Sequence, residues 1–157
     1  MTIALKDKQV LVLGLGDTGL SALRWLHAQG AVLSVADTRD NPPGMEVLKA
    51  ELPAVKLYTG AFSAAVFAGA DLVVASPGVP LSAPEIQAAI QRGVPVVGDV
   101  ELFAQYRPAG AKVIAITGAN GKTTVTTLVG EMCKAAGLKT IVAGNIGLPV
   151  LDALGME

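Results

Sequence analysis

Two strand-to-helix transitions punctuated by glycine constrain the fold of this chain more than any other feature. Gln9 to Leu13 is a short aliphatic run that ends in Gly14-Leu15-Gly16-Asp17-Thr18-Gly19, after which Leu20, Leu23 and Leu26 recur at helical spacing until Gly30. A second apolar run, Ala31 to Val35, follows at once and ends at Asp37. Strand, helix and strand within about 30 residues make a β-α-β unit, whose crossover forces the strands to run parallel. Further along, the pattern restarts. Lys112 to Thr117 reads as a strand, Gly118-Ala119-Asn120-Gly121 as a turn, Lys122 to Ala136 as a helix, Gly137 as its stop and Thr140 to Ala143 as a strand. The two units share architecture but hardly any sequence, which makes them separate sites rather than tandem repeats.

Between them, Pro42-Pro43-Gly44 reads as a loop, Glu46 to Glu51 as a short helix, Val55 to Tyr58 as a strand and Asp71 to Ala75 as a buried strand. Ser76-Pro77-Gly78-Val79-Pro80 breaks the pattern, and Ser82 with Glu85 predicts a capping box around Pro84, opening a helix that lasts to Arg92 before Gly93. Val94 to Val97 is a strand, Glu101 to Tyr106 a short helix, and Arg107-Pro108-Ala109-Gly110-Ala111 resembles a linker. A domain boundary is expected between Gly98 and Gly110. This divides the chain into a Rossmann-like domain at residues 1–98, a linker at 99–111, and the start of a second, truncated α/β domain at 112–157.

With 52% hydrophobic and only 16% charged residues, much of the chain must lie in a core covered on several sides, which favours a doubly wound parallel α/β sheet. No apolar run approaches the roughly 18 residues a membrane span needs. Nothing at the N-terminus resembles a secretory signal, so a cytoplasmic protein is expected. A net charge of −1 with no Lys/Arg cluster gives nucleic acid no electrostatic footing. The single cysteine, Cys133, falls at an apolar helical position and reads as a small buried side chain. His27, the single histidine, falls near the end of a helix with no partner in view.

Phosphate oxygens need several convergent N–H donors, and a turn of small residues feeding a helix N-terminus supplies them with the positive end of the helix dipole. Gly118, Ala119, Asn120, Gly121, Lys122, Thr123 and Thr124 have that form. The glycines let the backbone curl, Lys122 places a cation where β- and γ-phosphates would lie, and the Thr123 hydroxyl is placed to ligate Mg²⁺. The usual loop also has a glycine five residues before Gly121, where this chain has Ile116. Gly14-x-Gly16-x-x-Gly19 is less specific: with Asp37 on a ribose hydroxyl it also suits a nicotinamide-dependent dehydrogenase, and it could be a tight turn that binds nothing.

The order Thr117-Gly118-Ala119-Asn120-Gly121-Lys122-Thr123 resembles the phosphate loop of the Mur ligases and folylpolyglutamate synthases, which accounts for Ile116. In the synthases this loop lies close to the N-terminus, whereas here about a hundred residues of Rossmann-like pattern precede it, so the resemblance narrows to Mur ligases. Gly14 to Gly19, Asp37-Thr38-Arg39, Ala75-Ser76-Pro77-Gly78, Gly98 to Phe103 and Gly144-Asn145-Ile146-Gly147 resemble the D-glutamate-adding branch.

That resemblance implies that Asp17, Thr18, Asp37, Thr38, Arg39 and Gly78 line a UDP pocket, that Asn145 contacts the muramoyl part of the substrate, and that Gly118 to Thr124 hold ATP with Mg²⁺ at Thr123. It implies ATP-dependent ligation of D-glutamate to UDP-N-acetylmuramoyl-L-alanine through an acyl phosphate, in peptidoglycan precursor synthesis, with Lys122 and Thr123 catalytic and the enzyme a monomer. Family members continue through a large central ATPase domain with further metal ligands and a carbamylated lysine, then a C-terminal domain for the amino acid. These 157 residues alone are therefore expected not to catalyse the reaction. Glu157 is not assigned to the family's metal-binding glutamate, because its spacing from Asn145 is too short. A dehydrogenase and a non-catalytic nucleotide-binding module remain as alternatives.

Overall fold

The computed structural model describes residues 2–145 and 147–156; Ile146, expected in the Asn145 loop, and Glu157 lie outside the described residues. Five parallel strands form one sheet: β1 (Gln9–Leu13), β2 (Val32–Asp37), β3 (Lys56–Thr59), β4 (Leu72–Ala75) and β5 (Val96–Val97), in the order β3-β2-β1-β4-β5. The register is set at the centre, where Val12 lies beside Val35 on one side and Val74 on the other. Helices α1 (Asp17–Ala28), α2 (Met45–Glu51), α3 (Ala64–Phe67), α4 (Pro84–Gln91) and α5 (Asp99–Tyr106) connect or follow the strands.

Alternation along the central strands explains why both faces are covered. Val10, Val12, Leu72 and Val74 point into a core shared with Leu20, Leu23 and Leu26 of α1, Leu48 of α2 and Leu102 of α5. Their neighbours Leu11, Leu13, Val73 and Ala75 point into a second core with Phe67 of α3 and Ile86 and Ala89 of α4. A strand with no polar face can be satisfied only by helices on both sides, which is the doubly wound arrangement expected from the sequence. Trp25 of α1 meets Tyr106 of α5 edge to face with ring centroids 4.8 Å apart, tying those helices together.

Some expectations change. Helix α4 begins after Ala83 and carries no side-chain cap, so Ser82 and Glu85 do not form a capping box. Proline at the first helical position biases the residue before it towards extended backbone, and this moves the boundary past Ser82. The four-residue α3 had no counterpart in the sequence pattern.

The larger difference lies beyond residue 107. Helix α6 (Lys122–Ala135) forms as expected and ends before Gly137, which adopts a φ of +79°. Residues 112–117 and 140–143 form no strand; the only pairing there among the described residues is an isolated bridge between Ala143 and Leu148. A parallel strand exists only through its ladder to a neighbour, and no described strand lies beside either run. Ile114 at 64% exposure and Leu128 at 62% are correspondingly in solvent. Cys133 is half-buried rather than buried. The chain then returns to the first core: Val150 and Leu151 join the cluster built on α1, followed by a 3-10 turn at Asp152–Gly155.

Candidate functional site

The glycine turn after β1 is shaped by contacts that leave no room for a side chain. Gly14 adopts a φ of +90°, and a Cβ on Gly19 would lie 1.9 Å from the Gly14 carbonyl oxygen. Helix α1 can therefore start directly against the turn, with Asp17 exposed and Thr18 half-buried at its first positions. The strand order reverses direction between β1 and β4, and ligands of such sheets bind outside the carboxyl ends of the strands at that point. Asp17 and Thr18 after β1, Asp37, Thr38 and Arg39 at the end of β2, and Gly78 in the turn after β4 all lie at that edge. The turn after β4 abuts the glycine turn, with the Ser76 hydroxyl donating to the Gly14 carbonyl at 3.5 Å.

Asp37 is the buried charge of this edge, 3% exposed. Its Oδ2 accepts from the Leu15 backbone N–H at 2.7 Å and from Arg39 Nη2 at 2.6 Å. Its Oδ1 accepts from the Arg39 backbone N–H and from Arg39 Nε, each at 2.9 Å. The bidentate guanidinium, helped by both backbone donors, outweighs the cost of burial and holds the carboxyl down to about 2. A carboxylate offers about four acceptor positions, and here Leu15 and Arg39 occupy them. Arg39 itself is half exposed, so part of its guanidinium remains open to solvent. At the end of β5, Asp99 opens α5 and is raised from its ordinary value by burial.

Asn145 is exposed in a loop closed at its base by the Gly144 N–H donating to the Leu148 carbonyl at 2.9 Å. That loop comes back towards the first set: Asp17 and Arg24, together with Gly147, Pro149 and Asp152, line an open cleft of about 310 Å³.

The phosphate-type loop stands apart. Gly121 has a left-handed φ of +74° and starts α6, whose first turn contains no acidic residue. The Lys122 ammonium donates to the carbonyl oxygens of Gly118 and Ala119, lying over the mouth of its own loop. Gly118, Ala119, Asn120, Thr123 and Thr124 are exposed. Among the described residues no hydrogen bond or ion pair links this loop to the Asp17–Asp37 edge.

Sequence reasoning named Asp37 and Arg39 but not their mutual pairing, and it missed Ser21, Arg24 and Asp152 beside the cleft. A serine inside the apolar stripe of α1 was the available signal for a partner docking there. Arg24 pairs with Glu51 of α2 through both carboxylate oxygens, at 2.6 and 2.9 Å.

Residues 8–98 match the family model described as Mur ligase MurD-like, N-terminal domain. The chain is 72% identical over 152 residues to a UDP-N-acetylmuramoylalanine--D-glutamate ligase of Methylobacillus flagellatus, covering 97% of this chain and 34% of the relative. It is 54% identical over 165 residues to the ligase of the same name from Thiobacillus denitrificans, covering 97% and 35%. The chain thus spans about a third of the length of the curated relatives it matches. Among solved structures, a murein peptide ligase from Psychrobacter arcticus aligns with a TM-score of 0.57 at 23% identity, over 83% of this chain and 27% of that one. A UDP-N-acetylmuramate-alanine ligase from Thermotoga maritima aligns with a TM-score of 0.52 at 24% identity, over 83% and 30%. Both carry the same fold. With more than half its length inside the family model, the chain belongs to the Mur ligase family, in its MurD-like N-terminal domain group.

Proposed function

We propose that this polypeptide supplies the UDP-binding domain, residues 1–98, the connecting segment, 99–111, whose helix α5 packs on that domain through Leu102 and Tyr106, and the beginning of the ATP-binding domain, 112–157, of a ligase that joins D-glutamate to UDP-N-acetylmuramoyl-L-alanine. The observation that carries the reading is the wiring of Asp37. In a dinucleotide enzyme the acidic residue at the end of the second strand accepts from a ribose diol. Here its acceptor positions are taken by Leu15 and Arg39, which disfavours a nicotinamide dehydrogenase and leaves a half-exposed arginine at the carboxyl edge instead. The names of the relatives support the same choice.

In this reading the UDP diphosphate sits over the start of α1 by Asp17 and Thr18, and Asp37, Thr38, Arg39 and Gly78 border the nucleoside, Asp37 through its hold on Leu15 and Arg39. Asn145 contacts the muramoyl part. Gly118 to Thr124 hold the ATP phosphates. The fit there rests on the left-handed Gly121, the free N–H groups of the first turn of α6 and the absence of a carboxylate from that turn. Lys122 would exchange its loop carbonyls for β- and γ-phosphate oxygens, and Thr123 would give Mg²⁺ one hydroxyl ligand. Mg²⁺ keeps several waters and phosphate oxygens, so a single protein ligand suits it. The alanyl carboxylate takes the γ-phosphoryl group of ATP, the D-glutamate amine attacks the acyl phosphate, and inorganic phosphate leaves. Positioning and charge neutralisation supply most of the catalysis. The enzyme would work as a monomer in the cytoplasm; no helix among the described residues is long and apolar enough to cross a membrane.

Titration calorimetry with UDP-N-acetylmuramoyl-L-alanine tests the assignment. The folded chain should bind, Arg39→Ala should weaken binding by about tenfold or more, and NADH should give no heat. A folded chain that ignores the UDP substrate, or binds NADH in its place, overturns it.

A further inference from the structure

Ser21 is a buried polar residue on a buried face of α1 otherwise made of Gly19, Leu20, Ala22, Leu23 and Leu26. It is 1% exposed, and its hydroxyl donates to Asp152 Oδ1 at 2.6 Å across 131 residues of chain. A hydroxyl bound to a carboxylate at this distance is a strong, directional contact. Beside it, Val150 and Leu151 enter the same apolar cluster as Leu20 and Leu23. Apolar packing alone tolerates sliding, whereas the Ser21–Asp152 bond sets one position along the helix. On the other side of this anchor, the Gly144–Leu148 hydrogen bond closes the loop that carries Asn145. The anchored segment also lines the 310 Å³ cleft together with Asp17, through Gly147, Pro149 and Asp152.

We infer that Ser21 and Asp152 are positioning residues: they hold the Asn145 loop at a set distance from Asp17, so that two parts of one substrate site act together although neither residue needs to touch the substrate. This rests on the reading of Asp17 and Asn145 as substrate-binding residues. Two measurements on the whole chain test it. In amide hydrogen exchange, Ser21→Ala should speed exchange across residues 147–155 on the order of tenfold, while β1 and β4 keep their protection. Asp152→Asn made alone, which leaves the Ser21 hydroxyl an acceptor, should keep most of the wild-type protection.

In calorimetry with UDP-N-acetylmuramoyl-L-alanine, Ser21→Ala and Asn145→Ala should each weaken binding about tenfold, and the double variant should be less than about twofold weaker than Ser21→Ala. Unchanged exchange, or losses that multiply in the double variant while the wild type binds normally, overturns the positioning role alone. A folded wild type that does not bind, or an Asn145→Ala variant that binds as well as wild type, overturns the substrate reading and the inference with it.

Discussion

The backbone N–H of Leu15 donates to the Asp37 carboxylate at 2.7 Å, so the middle of the glycine turn is pinned to the end of the neighbouring strand. The same carboxylate holds Arg39 through Nε and Nη2. One buried charge thus shapes the turn over which the UDP diphosphate is proposed to sit and orients the cation beside it.

Acid should expose this wiring. Asp37 is held down to about 2 from an ordinary value of 3.8, chiefly by the Arg39 guanidinium. The folded state therefore binds the proton more weakly than the unfolded state, and the stabilisation is complete above about pH 4 and lost as pH falls through 2. Allowing for the 54% exposure of Arg39, it is worth about 1–2 kcal/mol. Denaturant midpoints measured from pH 7 to pH 2 should show this loss in wild type, and Asp37→Asn should begin lower by a similar amount with a flatter acid limb.

Gly19→Ala should be among the most damaging single-methyl additions in the chain. Its Cβ would stand 1.9 Å from the Gly14 carbonyl oxygen, which belongs to backbone already bonded into the sheet edge. A loss of about 3 kcal/mol in thermal or denaturant unfolding is expected, whereas Gly16→Ala, with nothing near its Cβ position, should cost much less.

Leucines in the two regions should answer differently to truncation. Trp25, the single tryptophan, packs on Tyr106 within the first core and reports its unfolding by fluorescence. Leu23→Ala, at a fully buried site, should lower stability by about 2–4 kcal/mol. Leu128→Ala, on the exposed face of α6, should move the same transition by no more than about 0.5 kcal/mol.

Lys122→Ala separates nucleotide binding from folding. The ammonium contacts only carbonyls of its own loop and is exposed, so unfolding should shift within about 0.5 kcal/mol. Affinity for Mg·ATP, measured by calorimetry, should nonetheless fall by about tenfold or more. Equal affinity in the variant would remove Lys122 from the ATP site.

Local signals carried far in this chain. The apolar run into Gly14, the 3.6-residue repeat of Leu20, Leu23 and Leu26, and the stop at Gly30 depend on residues close in sequence, and the first β-α-β unit formed as they required. The helix after Gly121 was legible for the same reason. Ser82 misled because the conformational demand of Pro84 on Ala83 outweighed the preference of a serine for a cap. Within the candidate site, Asp37 and Arg39 were legible as residues, but a two-residue spacing does not reveal a bidentate pair that also captures Leu15.

The sequence by itself determined the parallel sheet, its glycine turns and the residues at its carboxyl edge, because strand alternation, helical periodicity and glycine backbone freedom act over a few residues. Tertiary structure alone decided which of those segments found partners. Residues 112–117 have strand character but, among the described residues, no neighbouring strand to pair with, so no ladder forms there. Val150, Leu151 and Asp152 fall in sequence within the segment assigned to the second domain, yet they pack into the first core and meet Ser21, because the apolar face of α1 and its buried hydroxyl need partners that local spacing does not reveal.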